Sequence, residues 1–171
     1  MSKLVVSAIA TLAASTDALA QAPVIAAGTN QAFYHEATTS APPSAVWAVW
    51  TDVAGWGRWD KGLKSASLVG PFVTGARGTL TPLSGSKARF VVREVRQGIS
   101  YRFTTALPLA SLSVTRTILS SGQNAPTVFR HDVRFDGLLG GFWAKRYGPG
   151  FRAALPPTME AITTLAQASA Q

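Results

Sequence analysis

The side chains best equipped for chemistry in this sequence stand among apolar neighbours. In residues 127–135 (TVFRHDVRF) the odd positions Phe129, His131, Val133 and Phe135 share one face of an extended strand. Arg130, Asp132 and Arg134 share the other. The apolar face must turn inward, and it carries His131 with it. An inward imidazole can orient a ligand carbonyl or act as a general acid or base; it can equally be a hydrogen-bonded core histidine. The same parity groups Arg116 with Leu112, Val114 and Ile118. A guanidinium on an apolar strand face is costly unless it is paired or reaches a pocket, where it would bind a ligand carboxylate. The alternative is snorkelling near the strand end. Asp132 faces away from His131, so their adjacency makes no dyad. His35 meets His131 only if the first and last strands of the domain pair.

Other chemistries are poorly represented. There is no G-x-S-x-G, H-E-x-x-H, P-loop or G-x-G-x-x-G. Cysteine is absent and histidine occurs twice, so neither a thiol nucleophile nor a metal site is expected, and no cofactor is implied. The carboxylates are few: Asp52 reads as a helix cap and Asp60 as a turn residue. The 171 residues carry 16 Lys+Arg against 8 Asp+Glu, a net charge of +8. After Lys3 the basic residues are dispersed from Arg58 to Arg152, densest at Arg89, Arg93 and Arg96, and no run of them is interleaved with aromatics. That pattern argues against nucleic acid and leaves peripheral contact with an anionic membrane surface open.

Aromatic and apolar side chains supply the remaining candidates. Trp56 and Trp59 sit in a Gly-rich loop, where large rings call for a reason. Phe103, Phe129, Phe142, Phe151 and Leu155 are further candidates to line an apolar pocket, although any single one is more often simple core.

The elements that position these residues follow from patterning. Residues 1–20 show Lys3, an apolar run from Leu4 to Ala14 and an A-x-A pattern at Ala18–Ala20, which read as a secretory signal peptide. Residues 21–31 read as a flexible lead-in. Phe33–Thr39 reads as a strand. Pro42-Pro43 opens a short helix over Ser44–Thr51, with Val46, Val49 and Trp50 on one face, and Asp52 caps a second short turn. Six strands then follow at hairpin spacing: Leu63–Val69, Arg77–Leu83, Ala88–Arg96, Ile99–Ala106, Leu112–Leu119 and Thr127–Phe135. In Ala88–Arg96, Phe90, Val92 and Glu94 share a face. After Gly137 the pattern turns helical. Gly148-Pro149-Gly150 is expected to weaken or kink that helix, leaving its continuity open, and Pro156-Pro157 to bend it. Phe151, Leu155, Met159, Ile162 and Ala166 form an apolar stripe.

Two segments carry a resemblance. Residues 43–60 (PSAVWAVWTDVAGWGRWD) are similar to the V-W-x-x-x-x-D-x-x-x-x-x-x-W helix-pair element of the START-like (SRPBCC) superfamily, within it the polyketide cyclase/dehydrase and lipid-transport group. Phe135-Asp136-Gly137 running into the last helix resembles that family's final strand, glycine and long helix. The resemblance spans about residues 33–168, and a single domain is expected over 32–168. It implies an α+β helix-grip fold: a seven-stranded curved antiparallel sheet wrapping a long C-terminal helix, two short helices after the first strand, and a cavity between sheet and helix. It also implies that the Trp56/Trp59 region borders the pocket mouth. The reading is an exported protein, periplasmic or secreted, that holds a small hydrophobic or amphipathic ligand, lipid or aromatic and polyketide-like, with Arg116 and His131 orienting its polar end. The alternative is a cyclase or dehydratase using the same pocket, with His131 moving a proton.

Overall fold

The computed structural model describes residues 25–83, 85–122 and 125–170. The proposed signal peptide, residues 1–20, lies outside them, as do residues 21–24 of the lead-in.

Eight antiparallel strands form one sheet: β1 (Ile25–Thr29), β2 (Ala32–Thr39), β3 (Leu63–Leu68), β4 (Arg77–Pro82), β5 (Ala88–Arg96), β6 (Ser100–Leu107), β7 (Ala110–Gly122) and β8 (Ala125–Asp136). Their spatial order is β1-β2-β8-β7-β6-β5-β4-β3, so the chain runs as a meander from β3 to β8 and closes onto β2. The seven expected strands are β2 to β8. The eighth, β1, falls where a flexible lead-in was expected. Its partner explains it: β2 would otherwise present an unpaired row of peptide groups, and Ile25–Thr29 hydrogen-bonds to that edge.

Between β2 and β3 lie helix α1 (Pro43–Thr51) and a 3-10 helix (Val53–Arg58). Pro43 takes the first helical position, where a missing N–H has no consequence. The Asp52 side chain accepts from the Gly55 N–H at 3.2 Å, so it caps the 3-10 helix as its position suggested. Gly137, at φ +100°, makes the turn out of β8. A Cβ there would meet the Ala110 Cα at 2.8 Å.

Helix α2 (Gly140–Ala168) then runs unbroken through Pro149, Pro156 and Pro157. Gly148-Pro149-Gly150, which leaves the continuity of the helix open in the sequence, does not interrupt it. Ala144, Gly148, Leu155, Thr158, Met159, Ile162 and Ala166 are all buried on one side of the helix. Burying that long stripe outweighs the hydrogen bonds the prolines cannot make.

The core fills the space between the concave face of the sheet and the layer made by α1, the 3-10 helix and α2. Face parity holds on β8 and β7, where Phe129, His131, Val133 and Phe135, and Val114 and Arg116, are buried. On β5 it holds for Phe90 and Val92, which leaves Arg89 and Arg93 exposed. Glu94 departs from it. A bulge between Arg93 and Arg96 sets Glu94 at φ +49° and turns it outward, where it pairs with Arg102.

Candidate functional site

Strand register lines up four polar side chains in one transverse row. His35 on β2 lies opposite His131 on β8, His131 opposite Arg116 on β7, and Arg116 opposite Tyr101 on β6. Adjacent strands are spaced at ~4.8 Å, so the row crosses roughly 14 Å of the concave face. None of the four is more than 3% exposed.

The layer above the row is aromatic. Trp50 comes from the end of α1, Trp56 from the 3-10 helix and Trp59 from the residue after it. The Arg116 guanidinium carbon lies 4.7 Å from the Trp56 ring centre, 4.6 Å from that of Trp59, and 5.4 Å from those of Tyr101 and Phe103. Arg116 donates to the Tyr101 hydroxyl. Tyr101 in turn donates to the Trp50 carbonyl at 3.2 Å, and the Trp56 indole N–H donates to the same carbonyl at 2.9 Å. A helix-end carbonyl of α1 is thereby satisfied twice, and the 3-10 helix is tied to the sheet.

The cation itself lacks a counter-ion. Among the described residues no carboxylate forms an ion pair with Arg116. Asp60 is near enough for the two charges to feel each other, but its carboxylate instead accepts from the Gly62 N–H. Several buried polar atoms in and over the row also have no protein partner: Arg116 Nε, His131 Nε2, both ring nitrogens of His35 and Trp50 Nε1. Buried polar atoms are usually satisfied, so such a concentration in one place is unusual.

Protonation follows from burial. His131 is held well below its ordinary value, first by desolvation, then by the Arg116 and His35 charges. His35 is lowered by desolvation, against the pull of Glu36. Burial pushes Tyr101 up to about 12 despite Arg116, so it stays a neutral hydroxyl. Burial likewise raises Asp60, against its bond to Gly62 and the charge of Arg116. At neutral pH the row therefore holds one fixed cation, neutral imidazoles and a neutral phenol. It suits a guest oxygen that accepts hydrogen bonds, above all an anionic one.

Six of the residues singled out by sequence converge here: Trp56, Trp59, Phe103, Arg116, Phe129 and His131. The two indoles are not loop residues at an opening. Both are 1% exposed, 5.8 Å apart, with Trp56 also against Phe90 and Phe103. Trp50 and Phe129 flank His131, with ring centres 5.5 and 6.4 Å away. Over the row, the space expected to be hollow is closed by the protein's own rings. A cleft of about 470 Å³ does occur, but at the β5 bulge, lined by Glu94, Arg96, Ser100, Tyr101 and Arg102 among others. It lies at the Tyr101 end of the row.

Leu155 is buried on α2, while Phe151 is half-buried and packs on Phe135. Phe142 does not join the site: it is exposed on the outer side of α2, against Trp143. Sequence reasoning missed Tyr101 and Trp50. Tyr101 was detectable, because Tyr101, Phe103 and Thr105 alternate inward along β6.

A family model described as polyketide cyclase / dehydrase and lipid transport matches residues 30–165. Among solved structures, a Mesorhizobium loti protein is 19% identical at a TM-score of 0.65, over 81% of this chain and 98% of its own. A Thermus thermophilus protein is 16% identical at a TM-score of 0.63, over 82% and 99%. A norcoclaurine synthase point mutant from Thalictrum flavum, in complex with a transition-state analogue, is 13% identical at 0.62, over 87% and 98%. No curated protein matches the chain. At these identities the solved structures establish a shared helix-grip fold.

Proposed function

The chain belongs to the polyketide cyclase / dehydrase and lipid transport family, a START-like ligand-binding fold, and from that premise we propose that it holds an amphipathic small molecule on the concave face. The apolar body of the guest packs among Trp50, Trp59, Phe103 and Phe129, and its acceptor group meets Arg116 and His131. The observation that carries this reading is Arg116, a buried cation without a carboxylate in contact, next to unpartnered nitrogens on His131, His35 and Trp50. Because the rings close over the row, admission requires the Trp59 side of the aromatic layer to part from the guanidinium.

A fluorescent fatty acid and its methyl ester test the reading. The acid should bind saturably and more tightly than the ester, and Arg116→Met should erase the difference. Absence of saturable binding by either probe would sink the proposal.

Catalysis is the second reading, favoured by one observation: a neutral, buried His131 whose Nε2 is unengaged and therefore able to take a proton. Turnover of a polyketide-like chain lost in His131→Gln, with binding retained, would establish it. We further propose export to the periplasm or medium, supported by the leader pattern of residues 1–20. Protein recovered outside the cytoplasm should begin at Gln21; a retained Met1 would refute export by cleavage.

A further inference from the structure

Far from the polar row, large apolar side chains gather in water where α2 begins. Leu109 forms the β6–β7 turn with Pro108. It is 67% exposed at φ +52°, a left-handed conformation that leucine rarely adopts. The Leu139 N–H donates to the Leu109 carbonyl at 3.2 Å, which sets Leu138, 84% exposed, beside that turn. The Trp143 indole donates to the Pro108 carbonyl at 3.0 Å. Its ring meets Phe142, 60% exposed, edge-on at 5.0 Å, and stacks on Tyr147, 41% exposed, at 5.5 Å. Two cations border these rings. Lys145 and Arg146 are both exposed, and the Arg146 guanidinium carbon lies 5.5 Å from the Tyr147 ring centre. The chain has no Asp or Glu from residue 137 to 159 or from 95 to 131, and nearby Asp136 is held by Arg134.

We propose that this end of the molecule docks on an anionic lipid bilayer. Trp143 and Tyr147 have the amphipathic rings that settle at headgroup level, Leu109, Leu138 and Phe142 reach the acyl boundary, and Lys145 and Arg146 meet lipid phosphates. Among the described residues no helix is long and apolar enough to cross a membrane, so the contact is peripheral. A second copy of the chain fits less well. The exposed apolar area is on the order of 500 Å², taking ~200 Å² per large side chain, against about 800 Å² per partner in a stable interface. A twofold pairing would also set this basic patch against its own copy. The inference is independent of the ligand reading, since it uses none of the row's residues.

Flotation of the full chain with phosphatidylcholine vesicles, with and without phosphatidylglycerol, tests it. The protein should float with the anionic vesicles, less so as salt rises. Lys145→Gln with Arg146→Gln should weaken binding roughly 30-fold, at about fivefold for each basic residue. Leu138→Ser with Phe142→Ser should weaken it about tenfold or more. A second readout needs no variant. Trp47, Trp50, Trp56 and Trp59 are buried, so a blue shift of tryptophan emission on adding vesicles would report Trp143 entering the interface. No binding to phosphatidylglycerol vesicles would overturn the proposal. So would equal flotation of the Leu138/Phe142 variant, or self-association of the parent that these substitutions abolish.

Discussion

Replacing Arg116 by methionine separates function from stability at the centre of the row. Methionine carries no charge and follows arginine only as far as Nε, so the space left between Trp56 and Trp59 is that of the guanidinium's end alone, a void that the flexible thioether and the rings can partly fill. Two opposing effects are removed together. The buried guanidinium costs several kcal/mol in lost hydration, with no carboxylate in contact to offset it. Against that, stacking on two indoles contributes about 2 kcal/mol each in a desolvated setting, and the bond to Tyr101 about 1 kcal/mol. Those terms nearly cancel, so Arg116→Met should leave the unfolding free energy within about 1 kcal/mol of the parent, while the preference for an acidic guest disappears. Equilibrium urea unfolding followed by tryptophan emission measures the first quantity, and titration with the fatty acid and its ester the second. A loss above about 3 kcal/mol would show that Arg116 is held for structure, and the argument from an uncompensated cation would fail.

Acidification should destabilise the protein. His131 and His35 have folded values below the unfolded 6.5, so the unfolded chain binds the extra protons; their contribution is complete above pH 6.5 and is lost as pH falls below it. The decline should approach about 1.4 kcal/mol per pH unit for each proton, and a urea midpoint unchanged from about pH 7 to about pH 5 would contradict it. The raised carboxyls of Asp60 and Asp132 act in the opposite sense: the folded chain takes up their protons before the unfolded one does, so the penalty for burying them is relieved as pH falls from their folded values toward the unfolded 3.8. Tyr101→Phe removes the hydroxyl that Arg116 donates to and should cost about 2 kcal/mol; a double-mutant cycle should shrink that loss in the Arg116→Met background, and full additivity would break the proposed link. Gly78→Ala drives a Cβ to 2.2 Å from the Phe90 ring and 2.4 Å from the Ser67 carbonyl, and should cost about 1–3 kcal/mol. Gly150→Ala meets open space within a helix and should raise stability by about 1 kcal/mol; thermal melts that rank the two the other way would refute the packing account.

The strands were legible because burial on one face leaves few choices. Once Phe129, Val133 and Phe135 must face inward, His131 has to follow, and the same holds for Arg116 beside Val114. Parity fails where its premise fails. Glu94 should share the face of Phe90 and Val92, but the bulge inserts a residue, and nothing in Arg93–Arg96 announces it. Strand β1 is hidden for another reason: IAAGT has little propensity of its own and exists because β2 offers an edge, which is a fact about a distant segment. The row had the same non-local character. That His35, His131, Arg116 and Tyr101 point inward is local information, but their alignment depends on the register of three strand pairs, which hairpin and loop lengths set together.

Whether Phe142 can line a pocket is decided by helix phase. Were the helix interrupted at Gly148-Pro149-Gly150, nothing would relate residues before the interruption to the stripe that includes Leu155. In one continuous helix the phase carries through. Gly140, Ala144, Gly148 and Leu155 then lie toward the sheet, and all four are buried. Phe142 is two residues from both Gly140 and Ala144, about 200° around the helix from each, and must face water. The continuity that brings Leu155 onto the sheet therefore also turns Phe142 outward, beside Trp143 and Leu138. The exposed aromatic end and the buried stripe are two faces of one decision made at the prolines: the helix keeps its phase because the sheet supplies enough apolar surface to hold it, and the ring displaced from the interior becomes part of the surface assigned here to lipid.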